Sequence, residues 1–308
     1  LDNSCNMFWC NSPSICSINP VSFISLIIIF SSIKMSLLAD GNVNGYLDCP
    51  CPLILAHQGA SNHLPANNIE AFQKALDHGA AIIELDIWRS RDNVWVVVHD
   101  KNLKNITGVD RNVNELTFEE IRILDAGFNF QAHDGSYLYR NKDYRIPSLE
   151  NVFNHFNEHR INIEIKEKSI TGLSSLIELI NAYKMDKRVL VVSRSYRVID
   201  HFRGQSNNKI FTGASYIDAL RTKLFAHRTG YDLPYTAVQL PFYSPLVRYL
   251  GYVDQEWIES IQSKGQFVHF WTVDDPDDIQ QAIILGADGI ISNEPGRGYK
   301  ILGSMGMR

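Results

Sequence analysis

Cysteine is scarce and confined: Cys5, Cys10, Cys16, Cys49 and Cys51 all fall within the first 51 residues of a 308-residue chain. The rest has none, so a thiolate zinc site or a disulfide framework is excluded there. Charge is missing too, since residues 3–33 hold no Asp, Glu, Lys or Arg. A basic excess is also absent. The chain carries 29 Lys and Arg against 34 Asp and Glu, net −5, with no basic tract, which argues against a nucleic-acid partner. No G-x-G-x-x-G follows the first strand-like run, which disfavours a dinucleotide fold, and no G-x-S-x-G elbow supports a serine hydrolase. There is no internal repeat or low-complexity tract. At 45% hydrophobic and 20% charged residues, the composition is that of a globular chain.

The uncharged segment reads as a leader, residues 1–50, outside the main fold. Its apolar heart, 21–30 with a weak extension to Ile33, permits three readings. A secretory signal has an apolar region of about 7–15 residues; the length fits, but nothing before Lys34 is basic. A membrane anchor needs about 20 mostly apolar residues, which 16–33 approach only by counting several Ser, Asn19 and Pro20. Lys34 would then leave the following domain in the cytoplasm. In the third reading translation starts at Met35 and 1–34 are an upstream extension. A start at Met35 implies a cytoplasmic protein, cleavage near Ala39 an exported one, and membrane association would run only through residues 17–33. Cys49-Pro50-Cys51 is too tight for a zinc knuckle and no His/Cys pair follows it. Its thiols are either unpaired or, after export, disulfide-bonded.

From residue 53 short β-branched runs alternate with amphipathic stretches. Strands are predicted at 53–56, 81–87, 94–98, 161–165, 189–193, 209–214, 237–240, 266–273 and 289–291. Helices are predicted at 68–78, 117–124, 172–183, 196–202, 217–226, 255–263, 276–285 and 298–302. The polar stretch 101–160 breaks the rhythm and reads as an insertion. Eight strand–helix units in roughly 250 residues favour an α/β fold of the (β/α)8 TIM-barrel type, with an insertion after strand two, over an open sheet. The expected domain is 51–303.

In such a barrel the active site lies at the C-terminal strand ends. Glu84-Leu85-Asp86 puts two carboxylates on one face of the second strand, and Glu164-Ile165-Lys166 repeats the device on the third. Three carboxylates in one mouth repel each other unless a cation lies among them. With oxygen ligands, a hard divalent ion, Mg²⁺ or Ca²⁺, matches, so Glu84, Asp86 and Glu164 are candidate metal ligands. His57 closes strand one and His99 closes the extension of strand two; together they form a candidate general acid/base pair. Lys166 is a candidate anion-binding charge. Gln239 and Trp271 lie on late strands and face the same mouth if the register holds; Trp271 would either stack on substrate or belong to the core. A metal, two histidines and a lysine suit phosphoryl transfer better than acyl transfer.

Ordered motifs extend this reading: Ala56-His57-Gln58-Gly59-Ala60, Pro65-Ala66-Asn67-Asn68, Ala71-Phe72, Gly79-Ala80, Glu84-Leu85-Asp86 and His99-Asp100-x-x-Leu103. Further along come Leu124-Asp125-Ala126-Gly127, Ile146-Pro147-Ser148-Leu149, Glu164-Ile165-Lys166, Trp271-Thr272-Val273 and Gly286-Ala287-Asp288-Gly289-Ile290. Over about 53–297 the sequence resembles the glycerophosphodiester phosphodiesterase family. The resemblance implies a TIM barrel with an insertion after strand two, and Mg²⁺- or Ca²⁺-dependent hydrolysis of glycerophosphodiesters to glycerol 3-phosphate and an alcohol. It implies His57 and His99 as the acid/base pair, Glu84, Asp86 and Glu164 as metal ligands, and Lys166 on the phosphate. The attacking group is water or a neighbouring glycerol hydroxyl. Two positions depart. The family has Arg after the first His where this chain has Gln58, and Pro-Glu-Asn-Thr reads Pro65-Ala66-Asn67-Asn68 here. A neutral amide does not replace the bidentate charge of Arg, although Gln58 keeps a substrate-side position. Arg89 or Arg91 would supply a substitute charge. Two rival readings stand beside hydrolysis of small glycerophosphodiesters: a lysophospholipase D-type activity on lysophospholipids, and a non-catalytic ligand-binding barrel.

Overall fold

The computed structural model describes residues 46–47, 52–132, 134–225 and 231–308. The expectations for all five cysteines, the apolar run 17–33 and the sites at Met35 and Ala39 lie outside the described residues.

The chain opens with β1 (Leu53–Ala56), α1 (Ile69–Asp77), β2 (Ile82–Arg89) and β3 (Trp95–Val97). Next come α2 (Lys104–Thr107), a 3₁₀ turn at Val113–Glu115, α3 (Phe118–Ile121), α4 (Leu149–Phe156), β4 (Arg160–Ile165) and α5 (Leu173–Ala182). The second half runs β5 (Val189–Val192), α6 (Tyr196–Gln205), β6 (Phe211–Thr212), α7 (Tyr216–Phe225), β7 (Ala237–Pro241) and α8 (Pro245–Tyr249). It ends with α9 (Gln255–Gln262), β8 (Phe267–Trp271), α10 (Pro276–Ile284), β9 (Gly289–Ser292) and α11 (Pro295–Ser304).

Eight parallel strands follow the order β6-β5-β4-β2-β1-β9-β8-β7, with β3 antiparallel on β2. Among the described residues a single parallel bridge, Gly213 to Ala237, joins the two ends of the sheet. Across it Thr236 N donates to Thr212 O (2.7 Å) and Ala214 N to Ala237 O (2.8 Å). The architecture is a nearly closed (β/α)8 barrel, as the alternation of strands and helices implies.

Residue alternation assigns the faces. Ile83, Leu85 and Ile87 point outward into a core shared with Phe72, Val152 and Phe153. Leu55, Ile82, Leu190, Phe267 and Ile291 fill the barrel interior, with Tyr46 and Leu47 packed in the same cluster. The register sets Asp86 opposite Glu164 and Glu84 opposite Asn162, so the acidic side chains of β2 and β4 share one inward face. The stretch 101–160, expected as one polar insertion, in fact ends in a barrel helix. In α4 Leu149, Val152, Phe153 and Phe156 recur at helical spacing and are buried, and the Ser148 hydroxyl caps Asn151 N at 3.0 Å. The earlier part has a small core of its own, including Val96, Leu103, Val113, Ile121 and Ile146.

Helix α7 packs differently. Its buried residues are Asp218, Ala219 and Thr222. Asp218 pairs with buried Arg203 (3.0 Å) and accepts from Ser215 N and Oγ (both 3.0 Å). Arg203→Met leaves a buried carboxylate without its cation, and is expected to destabilise the fold by about 3–5 kcal/mol. The midpoint of urea unfolding checks this.

Candidate active site

β1 delivers His57 to the C-terminal mouth. A left-handed turn follows, with Gln58 at φ 55° and Gly59 at φ 86°. Glycine is required at the second position, because a Cβ there would lie 2.7 Å from the carbonyl carbon of Ala71. The turn aims Gln58 at the acidic face: its backbone N donates to Glu84 Oε2 and its Nε2 to Asp86 Oδ2, both at 2.9 Å.

Both histidines are held by Nδ1. His57 Nδ1 donates to Asn293 Oδ1 at 2.7 Å. The orientation of that amide follows from Asp274, which accepts from Asn293 Nδ2 (2.7 Å) and N (2.8 Å). Asn293 Oδ1 is therefore the acceptor and Nδ1 of His57 carries a proton, which in the neutral imidazole leaves the lone pair on Nε2. His99 Nδ1 faces Asp100 Oδ1 at 2.8 Å. Burial pushes the Asp100 carboxyl up, but hydrogen bonds from His99 and Asn105 outweigh it and hold the group below its ordinary value.

Glu84 and Asp86 are buried and Glu164 largely so. One oxygen from each lies within 4.8 Å of the others. Burial, then the Asp86 charge, pushes Glu84 well above its ordinary value. Lys166 Nζ bridges the cluster, 3.1 Å from Asp86 Oδ1 and 3.0 Å from Glu164 Oε2. Its own burial works against the charged form, but the two carboxylates prevail and raise it. Asp86 Oδ1 is buried, and among the described residues it faces Lys166 Nζ at 3.1 Å. An all-oxygen donor set of three gathered carboxylates fits a divalent cation.

Two cavities meet here. One of about 190 Å³ is lined by Glu84, Glu164, Lys166, Ser193, Arg194, Gln239 and Trp271, among others. The other, about 410 Å³, lies toward the insertion, against Gln58, Asn67, Asp100, Asn105, Ile106 and Phe130. His57 and His99 line both.

The model of the glycerophosphoryl diester phosphodiesterase family matches residues 57–297. A glycerophosphodiester phosphodiesterase of Caldanaerobacter subterraneus subsp. tengcongensis is 31% identical over 251 residues, covering 79% of this chain and 94% of that protein. The chain belongs to the glycerophosphoryl diester phosphodiesterase family. Its enzyme class is accordingly that of a phosphoric diester hydrolase. Lysophospholipase D GDPD1 of Rattus norvegicus is 26% identical over 282 residues, covering 82% of this chain and 86% of that one. Among solved structures, an Oleispira antarctica phosphodiesterase in complex with the product sn-glycerol-3-phosphate superposes with a TM-score of 0.67 at 20% identity. It covers 82% of this chain and 97% of its own. The glycerophosphodiester phosphodiesterase of Agrobacterium tumefaciens gives 0.65 at 21% identity, covering 80% and 99%.

Against the family pattern the structure relocates the spare charge. Arg89 does not reach the mouth: it pairs with Glu167 at 2.9 Å and lies over the Trp95 ring. Arg91 is held in the insertion by Glu120 and the Glu115 carbonyl. Neither lines either cavity. Arg194 does line the first, one residue beyond Ser193 at the end of β5. Its Nε is 3.2 Å from Glu164 Oε1, and its guanidinium stands 5.3 Å from the Trp271 ring centroid. Gln58 lies in the second cavity with its amide engaged by Asp86. Gln239 donates to Asn162 Oδ1 at 2.9 Å at the base of the first cavity, and Trp271 forms part of its wall. Sequence reasoning passed over Arg194 and Asn293. Arg194 follows directly on the predicted strand 189–193 and Asn293 comes two residues after the predicted strand 289–291, and the search for polar strand ends that found His57 would have reached them.

Proposed function

We propose that this enzyme hydrolyses glycerophosphodiesters to glycerol 3-phosphate and an alcohol. The observation that carries the reading is the placement of His57 and His99 where two cavities meet, above a cluster of three carboxylates. A diester has two arms, and a phosphorus centre at that junction sends one arm into each cavity. His57, with its Nε2 lone pair free, takes the proton of the attacking oxygen, either water or a neighbouring glycerol hydroxyl. His99, whose Nδ1 faces a carboxylate, is suited to carry positive charge and gives a proton to the leaving alkoxide. Glu84, Asp86 and Glu164 would hold a Mg²⁺ or Ca²⁺ ion, which when bound neutralises charge on the phosphate oxygens. Lys166 and Arg194 face the same oxygens from the barrel side, and Gln239 and Trp271 shape the wall against the glycerol arm.

Release of glycerol 3-phosphate from glycerophosphocholine, measured with Mg²⁺, with Ca²⁺ and with EDTA, tests the reading. Activity that survives EDTA would overturn the cation, and no hydrolysis of any glycerophosphodiester would overturn the function. Arg194→Ala is expected to lower kcat/KM by about 10–100-fold, mostly through KM, as loss of a charge-assisted contact does. Gln58→Arg in the unmodified chain is expected to give little gain, because Arg194 already faces the anion. A large gain would show that position 58 limits the enzyme.

A further inference from the structure

Helix α7 is inside out. A helix on a barrel normally turns its apolar stripe to the strands. Here Ile217, Leu220 and Leu224 are 45%, 51% and 52% exposed, while Asp218 and Thr222 are buried. The buried polar groups have partners, Asp218 in Arg203 and Ser215 and Thr222 in the Tyr235 hydroxyl at 2.6 Å. The fold therefore holds the apolar stripe outward with a matched polar network behind it.

The stripe does not stand alone. The short helix α8, inserted between β7 and its barrel helix α9, exposes Leu246 at 64% and Tyr249 at 88%. The segment after it is tied to α7: the Tyr252 hydroxyl donates to Ala219 O at 3.2 Å, and Lys223 Nζ to Gly251 O at 2.8 Å. These bonds bring α8 beside α7, and the rim formed by the two helices borders the active site, because Tyr216 and Ala219 of α7 line the first cavity.

The segments that form it carry charge of nearly one sign, although Asp254 faces Lys223 and Asp278 accepts from the Tyr243 hydroxyl at 2.9 Å on the flank. Within 194–197, 216–225 and 243–250 the acidic residues amount to Asp218, which is buried and paired. The exposed charged side chains there include Arg194, Arg197, Arg221 and Arg248. This occurs on a chain whose formal net charge is −5.

We propose that this rim docks the enzyme on a phospholipid surface, so that a phosphodiester lying in that surface meets the cavity directly. Aliphatic side chains beside tyrosines, bordered by arginines, are the composition of a membrane–water interface. The basic border suits lipid phosphates. A second copy of the chain seated on the rim would cover the entrance that its Tyr216 and Ala219 help to form, whereas a lipid surface presents substrate to it. Among the described residues no helix is long and apolar enough to cross a membrane, so the contact is peripheral. What enters the cavity rests on the phosphodiesterase reading; the docking itself does not.

The test uses the full chain with residues 1–45 unchanged, and a variant combining Ile217→Ser, Leu220→Ser, Leu246→Ser and Tyr249→Ser, none of which lines a cavity. Partition onto vesicles of phosphatidylcholine and phosphatidylserine is expected to fall about tenfold or more in the variant, since binding scales with apolar area inserted. Hydrolysis of soluble glycerophosphocholine should hold, while hydrolysis of lysophosphatidylcholine carried in the same vesicles falls with the partition. Three results would overturn the proposal: an unmodified chain that does not partition, a variant that partitions equally well, or an equal fall in soluble and vesicle-borne turnover. A dimer that dissociates in the variant, with partition unchanged, would assign the rim to a second copy. Failure to hydrolyse glycerophosphocholine would refute the proposed function and leave the partition measurement standing.

Discussion

His57→Ala is expected to lower kcat by about 10²–10⁴-fold, the usual worth of a positioned general acid or base. KM and the unfolding midpoint should hardly move, because His57 is only partly buried and its side-chain hydrogen bond is to one amide. Steady-state kinetics on glycerophosphocholine with thermal unfolding in parallel checks both halves. A loss confined to KM would mean that His57 binds substrate rather than moving a proton. Asn293→Ala leaves the imidazole in place but frees its tautomer and its orientation, so an intermediate loss in kcat is expected. Ser61 also donates to Asn293 Oδ1, at 2.7 Å, and that bond is lost with the amide.

Glu84→Gln should separate activity from stability in the opposite sense. The side chain keeps its size and can still accept from Gln58 N, but one of three crowded charges is gone. Burial and the neighbouring Asp86 carboxylate disfavour ionised Glu84, so the cation-free protein should gain on the order of 1 kcal/mol. That gain corresponds to a rise of about 2–4 °C in Tm. Activity should fall by more than about 100-fold, as expected when a charge that stabilises the transition state is no longer held. In the unmodified chain saturating Mg²⁺ or Ca²⁺ should raise Tm, by about 2.7 kcal/mol of linkage at a hundredfold excess over Kd. In the variant that rise should largely vanish. If Glu84→Gln melts lower than the unmodified chain in EDTA, mutual repulsion is not what shapes the cluster.

The barrel was legible because each strand carries its burial in its spelling. In Glu84-Leu85-Asp86 the period of two sends leucine to the helices and both carboxylates to the interior, and no tertiary knowledge is needed. Three features were harder to read. Helix α4 sits behind a long polar stretch, and its four apolar residues were absorbed into that stretch. Strand β6 has two residues rather than the six of 209–214, because its ladder with β5 pairs only Leu190 with Phe211 and Val191 with Thr212. Helix α7 has a helical apolar period that points away from the core, and period alone does not reveal which face is covered. In the site, His57 and Lys166 were found although they stand one step past β1 and β4, whereas Arg194 and Asn293, just past β5 and β9, were missed. Arg194 and Asn293 matter through partners more than 29 residues away, Glu164 and His57, and those distances close only once the barrel does.

The seam between β6 and β7 gives the barrel an uneven stiffness. On one side β2 and β4 match residue for residue over six pairs. On the far side, among the described residues, one bridge and two backbone hydrogen bonds complete the circle. Thinly bonded elements open at low free-energy cost, and densely bonded ones open only with the whole fold. The carboxylates stand on the densely paired staves. Ala214, Ser215 and Tyr216, which border the cavity beside the seam, stand on the compliant ones. On the proposed function the molecule is thus less a rigid cask than a spring clip: it would grip the reacting phosphate from its stiff side and adapt to the rest of the substrate from the side that gives.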